Sequence, residues 1–114
     1  MHELSVASSI IEIVLAEVKN KNLGQVKEIG LKVGVLSGIM PDSLEFGFDA
    51  LKQETALAQT RVVIETVPLQ GTCNQCREAF SVQDLIFACP ECGSANITVE
   101  HGQELDIAYV DVEE

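Results

Sequence analysis

Two Cys-x-x-Cys pairs, Cys73-Asn74-Gln75-Cys76 and Cys89-Pro90-Glu91-Cys92, are separated by 12 residues and constrain this chain more than any other feature. Each pair can form a tight knuckle that presents two sulfurs to one metal at about 2.3 Å. The intervening stretch, with Phe80, Val82, Leu85, Ile86 and Phe87, is long enough for a hairpin that brings the knuckles together, and Pro90 and Gly93 suit the second turn. Four thiolates form a closed tetrahedral shell with no position for water, so the metal they predict is structural. Zinc is the expected ion, and iron in a rubredoxin-like site is the chemical alternative. Unrelated pairs of buried thiols, or a redox Cys-x-x-Cys, are the competing readings. A redox motif, however, would occur once and follow a strand of a thioredoxin-like unit.

Compartment supports metal over disulfide. The apolar stretch Ile10–Val18 is broken by Glu12 and Glu17, so no run is long enough to cross a bilayer. The opening Met-His-Glu-Leu lacks the basic region and small-residue cleavage site of a secretory signal, which predicts a cytoplasmic protein with reduced thiols. The net charge of −11 repels phosphate backbones and anionic lipid, so neither nucleic acid nor a membrane is an expected partner. At 114 residues the chain is long enough for one apolar core, which must be aliphatic because the sequence has no Trp and 4% aromatics.

Hydrophobic periodicity orders the rest. Residues 4–22 read as an amphipathic helix with Ala7, Ile10, Ile11, Val14, Leu15 and Val18 facing the core, and Gly24 is available for a left-handed cap. Residues 26–36 alternate as a strand, Lys27, Ile29, Leu31, Val33 and Val35 sharing one face; Gly30 and Gly34 on the other suggest that another backbone passes close by. Asp42-Ser43-Leu44-Glu45 has the pattern of a capping box for a second helix ending near Thr55, with Leu44, Phe48 and Leu51 as its apolar seam, widened by Phe46. Residues 61–69 form a strand that Pro68 confines to an edge, with Val62 and Ile64 on one face. A last strand over 105–112 needs a sheet to join and is expected to return to the first one. The predicted fold is α+β, two helices on a small, mainly antiparallel three-stranded sheet with an inserted zinc-ribbon-like module. Residues 1–70 plus 103–114 would form one domain and 71–102 the zinc module, joined through hinges at 69–72 and 97–102.

The amino terminus offers a second metal site. A free Met1 amine, the His2 backbone amide and the His2 imidazole close a five- and a six-membered chelate ring. Three in-plane nitrogens with one further donor match the square-planar preference of Ni(II) or Cu(II). Glu3 can add a carboxylate or take up the amide proton. The positive end of the first helix opposes a cation here, and the deprotonated amide and Glu3 must offset it. His101, in Glu-His-Gly-Gln just past the cysteines, reads as a surface histidine, and Asp42 as a helix cap.

The opening Met1-His2-Glu3-Leu4-Ser5 with Ser8-Ser9-Ile10-Ile11, the segment Val33-Gly34-Val35-Leu36-Ser37-Gly38 and the spaced cysteine pairs resemble, over essentially the whole chain, the HypA/HybF family of nickel-incorporation proteins in [NiFe]-hydrogenase maturation. The resemblance implies that Ni(II) is transported cargo held by His2 and the Met1 amine with Glu3 beside them, and that Cys73, Cys76, Cys89 and Cys92 hold structural Zn(II). It makes Asp42 a secondary nickel candidate, since Met-Pro-Asp-Ser falls where the family carries an Asp close to nickel. His101 is a further candidate that matches no family ligand. The implied partners are the nickel-handling GTPase HypB and the hydrogenase large subunit, with urease also served by some members. Monomer and homodimer both stay open, through the strand containing Pro68 or exchange of the last strand. A zinc-ribbon interaction module without a nickel role is the alternative function. An enzyme finds no support, because the thiolate shell is closed and neither histidine lies in a catalytic motif.

Overall fold

The computed structural model describes residues 3–113. The element order is α1 (Glu3–Asn20), β1 (Val26–Gly34), α2 (Pro41–Leu51), β2 (Arg61–Val67), β3 (Gln70–Cys73), β4 (Ala79–Ser81), β5 (Ile97–His101) and β6 (Leu105–Val112). One sheet runs β2-β1-β6 and a second runs β4-β3-β5. The expected α+β architecture of two helices with small sheets is present, and the last strand does rejoin β1. Antiparallel pairing predominates, as in β1–β6, β3–β4 and β3–β5. The exception is β1–β2, which is parallel because α2 carries the chain back to the starting end of the sheet.

The core lies between the helices and the first sheet. Ala7, Ile11 and Val14 of α1 and Leu44 and Phe48 of α2 close over Ile29, Leu31 and Val33. Each of these larger side chains contributes about 1.5–3 kcal/mol relative to exposure, which is why a core with no Trp or Tyr suffices. Phe46 does not widen this seam. On a 3.6-residue period it falls with Asp42, Glu45 and Asp49, opposite Leu44 and Phe48, and it is 75% exposed.

Several local expectations change for identifiable reasons. The strand row starting at Lys27 breaks at a register shift between Val26 and Glu28, which turns Val26 inward and Lys27 out. Val35 falls beyond the end of β1 and is exposed. The cap of α1 is Asn22 at φ 52°, not Gly24. Leu23 N–H reaches the Val18 carbonyl at 3.0 Å and Asn22 N–H the Lys19 carbonyl at 3.4 Å, the paired bonds of a Schellman ending, and Asn tolerates that backbone. Gly24 instead admits the Glu113 backbone, which occupies the place of a Cβ.

The capping box at Asp42 does not form. Helix α2 starts two residues earlier, with Pro41 at its first position and Met40 as the cap residue, and makes no side-chain cap bond. Pro fits there because its missing N–H is one the helix leaves unpaired anyway. The reach-back acid comes from the other helix: Glu3 Oε2 accepts the Met40 N–H at 3.3 Å.

The inserted segment holds more structure than its sequence suggests. The segments taken as hinges, 69–72 and 97–102, consist largely of β3 and β5, which pair with each other. The true junction is shorter. Gly34 N–H donates to Glu104 O at 2.7 Å, Leu36 N–H to Gly102 O at 2.6 Å and Val35 N–H to Val67 O at 3.1 Å. The Gly102 backbone sits where a Gly34 side chain would be, so the close approach expected of that face is real. At Gly30 the visitor is the Tyr109 ring, whose hydroxyl donates to Glu28.

Candidate metal centre

Strand β3 ends on Cys73, and the chain then turns through Asn74 and Gln75 to Cys76. The second knuckle repeats the main-chain bonds of the first 16 residues later. Arg77 N–H donates to Cys73 O at 2.9 Å, and Gly93 N–H to Cys89 O at 2.8 Å; Cys73 N–H donates to Glu78 O and Cys89 N–H to Ser94 O, both at 2.9 Å. The residue after each pair is left-handed, Gly93 at φ 77° and Arg77 at φ 64°. In each knuckle the first cysteine is buried and the second exposed.

The four sulfurs converge. All lie within 4.8 Å of one another, with Cys73 Sγ 3.5 Å from Cys92 Sγ and Cys76 Sγ 3.6 Å from Cys89 Sγ. These are not disulfide separations, which would be about 2.05 Å. A tetrahedron with metal–sulfur bonds of about 2.3 Å has edges of about 3.8 Å, close to these two separations and inside the 4.8 Å bound on the rest. Amide N–H groups already point at the sulfurs: Gln75 and Cys76 toward Cys73 Sγ at 3.4 and 3.5 Å, and Glu91 toward Cys89 Sγ at 3.4 Å.

Electrostatics show why the cage calls for a cation. The Cys76 amide, with help from Gln75 and Cys92, brings the Cys73 thiol down to about 6. At Cys76 the Glu78 amide pulls downward, but the Cys89 sulfur and the partial desolvation of the thiol outweigh it and push it up to about 12. Cys92 is likewise raised: the Ser94 amide opposes this, and the Cys73 sulfur and partial desolvation prevail. The protein therefore favours the Cys73 thiolate on its own. A bound dication supplies the charge that lets Cys76 and Cys92 ionise alongside it.

Of the amino-terminal candidates, Met1 and His2 lie outside the described residues. Glu3 opens α1, and its carboxylate shares a cleft with Asp42, the two helix starts meeting there with Leu4, Ser43, Phe46 and Gly47 around them. No local pattern brings Glu3 and Asp42 to one cleft, since they are 39 positions apart; only the family resemblance had set both near one metal. The exposed Phe46 on the same cleft was missed too, and the helical period of α2 was the signal that could have found it. His101 lines a different cavity, beside Gln70, Thr72 and Glu100, and its Nδ1 is 3.2 Å from Glu104 Oε2. Glu104 also accepts the Gly102 N–H at 2.6 Å, and that bond, with the imidazole, holds its carboxyl below the ordinary glutamate range.

Comparisons with known proteins extend over the whole molecule. The family model described as hydrogenase/urease nickel incorporation, metallochaperone, HypA matches residues 1–112. A hydrogenase maturation factor HypA of Roseiflexus sp. (strain RS-1) is 38% identical over 115 residues, covering 100% of this chain and 94% of its own length. The factor of that name from Geobacter metallireducens is also 38% identical over 115 residues, covering 99% of this chain and 100% of its own. The solution structure of the Ni metallochaperone HypA from Helicobacter pylori aligns with a TM-score of 0.66 at 21% identity, covering 98% of this chain and 97% of that one. A further HypA solution structure aligns with a TM-score of 0.74, also at 21% identity, over 99% and 97% of the two chains. At that identity the two structures speak to the fold alone. Among the described residues, no helix is long and apolar enough to cross a membrane.

Proposed function

The chain belongs to the HypA family of nickel-incorporation metallochaperones, not enzymes, and from that premise we propose that it binds Ni(II) at its amino terminus and delivers it for [NiFe]-hydrogenase maturation. The observation that carries this reading is the family match running from residue 1 through 112, which takes in both the Met-His-Glu opening and the cysteine pairs. The Met1 amine, the His2 amide nitrogen and the His2 imidazole form the nickel plane. Glu3 stands beside them, held by the Met40 N–H within a cleft that also presents Asp42, and these two carboxylates are the candidates for a further donor. A carboxylate donor exchanges readily, which suits a carrier that must release its cargo. His101, engaged with Glu104, is the least favoured donor.

The four cysteines hold structural Zn(II), and a closed S4 shell supplies rigidity and no chemistry. Residues 71–102 then act as a zinc module inserted into a nickel-binding domain of residues 1–70 plus 103–114. HypB and the hydrogenase large subunit are the partners the family resemblance suggests, in the cytoplasm.

Titration of nickel into zinc-loaded protein tests the assignment. One nickel site should disappear in His2→Ala while zinc content stays the same, and unchanged nickel affinity in that variant refutes it. The second reading, a zinc-ribbon interaction module, draws on Leu85 and Ile86, which are 60% and 62% exposed on the loop between the knuckles. Acetylating the amino terminus separates the two, because only the nickel reading needs a free amine.

A further inference from the structure

Strand β6 is a terminal strand of its sheet, bonded to β1 on one side and open along the other among the described residues. Helix α1 does not close over that edge. Between them lies a cavity of about 590 Å³ floored by Val6, Ile10, Leu105 and Ile107, and a second of about 350 Å³ reaches Val110 and Val112. The two adjoin at Ile13 and Ile107, which line both, and lie end to end along β6, about 27 Å for eight residues, with the Glu17–Lys21 ion pair beside the second. Ile13 sits at its middle, 52% exposed on a helix whose other large aliphatics between Ile10 and Val18 are at least half buried. The open backbone edge and the apolar floor together lack one strand.

Charge decides what that strand carries. The outward face of β6 presents Asp106 and Asp111, neither of which forms an ion pair among the described residues. Asp111 stands opposite Glu28 on β1, whose carboxylate is already bound by Arg61 and Tyr109, while Asp106 stands opposite Lys32 without forming an ion pair with it, so Asp111 is the stronger attraction for a basic side chain. A second copy of the chain fits poorly. Full antiparallel overlap of two β6 strands about an axis between Ala108 and Tyr109 sets Asp106 against Asp111 of the other copy, twice, between chains of −11 each. Like charges directly opposite on neighbouring strands are destabilising, and opposite charges there are favourable.

The geometry points to a docking groove along β6 that takes an extended segment of a partner protein as a fourth strand. The segment's apolar residues pack under Ile13 and its alternate basic residues lie beside Asp106 and Asp111. Main-chain bonds to the open edge supply affinity, and the alternation supplies selectivity. The surface does not depend on the nickel assignment.

The test uses the full zinc-loaded chain and a synthetic ten-residue peptide of alternating Val and Lys, with two controls: Glu in place of Lys, and N-methylation of alternate backbone amides. Calorimetric titration is paired with amide hydrogen exchange. The Val–Lys peptide should bind and slow exchange across Leu105–Val112, and both controls should fail. Affinity should fall at least about tenfold in Ile13→Glu and in the double variant Asp106→Lys/Asp111→Lys, whose exposed positions leave the core intact. Binding that leaves β6 exchange unchanged, equal affinity in both variants, or absence of binding overturns the proposal. So does concentration-dependent self-association that slows β6 exchange, which would assign the groove to a second copy.

Discussion

Replacing Gly34 with alanine probes the junction that joins the two sheets. A Cβ on Gly34 would fall on the Gly102 carbonyl and within 2.6 Å of Gln103 N, all of it backbone held by strands on either side. The β5–β6 turn must therefore withdraw, which strains or breaks the bonds from Gly34 N–H to Glu104 O and from Leu36 N–H to Gly102 O. Overpacking costs about 1–3 kcal/mol, and each lost backbone bond about 1 kcal/mol. With one of the two bonds lost, the total is about 2–4 kcal/mol, which corresponds to a fall in melting temperature of roughly 8–16 °C for a chain of this size. Gly38 is the matched control: it needs a left-handed backbone, φ 80°, but a Cβ there meets nothing within 4 Å. Gly38→Ala should cost only the left-handed penalty of about 1 kcal/mol. Gly30→Ala should fall between them, since its obstacle is the half-exposed Tyr109 ring, which can swing away. Thermal unfolding of zinc-loaded protein followed by helical circular dichroism ranks the three. A Gly34→Ala loss no greater than that of Gly38→Ala refutes the interlock.

Three further outcomes follow from the same structure. Arg77→Gly relieves a left-handed arginine and should raise resistance to thermal unfolding by about 0.5–1 kcal/mol, whereas Gly93→Ala, the same position in the other knuckle, should lower it by a similar amount; equal and null effects would dissolve the equivalence of the knuckles. Cys73→Ser should abolish bound zinc by elemental analysis and remove amide protection from β3 and β5, while α1 and β1 keep theirs. Glu104 has a folded-state value below its unfolded one, so its contribution is fully present above about pH 4.5 and is lost as pH falls through the depressed value. Glu104→Gln should therefore flatten the acid side of the stability profile and leave its shape above pH 6 unchanged; an equally steep acid limb would show that this carboxylate is not among the groups responsible.

The convergence of the four cysteines was legible in the chain because its information is local. Spacing alone places two sulfurs on each knuckle, and the repeat of 16 residues could even have marked Arg77 as the counterpart of Gly93. Edges and faces were legible where periodicity is strict, as in Val62 and Ile64 on β2 or Leu44 and Phe48 on α2. Phe46 was misplaced by treating its apolar character as evidence of burial when its helical angle pointed outward.

What the sequence by itself determined was the set of elements and the chemistry of the donors, since both arise from neighbouring residues: cysteine pairs, alternation, a proline at an edge. Tertiary structure decided the rest. Whether Asp42 caps its own helix or faces Glu3 across a cleft, whether Gly24 or Asn22 ends α1, and whether the joining segments are hinges or strands depend on residues tens of positions away. A backbone group takes whichever partner the packed fold brings closest, and no local pattern records which one arrives.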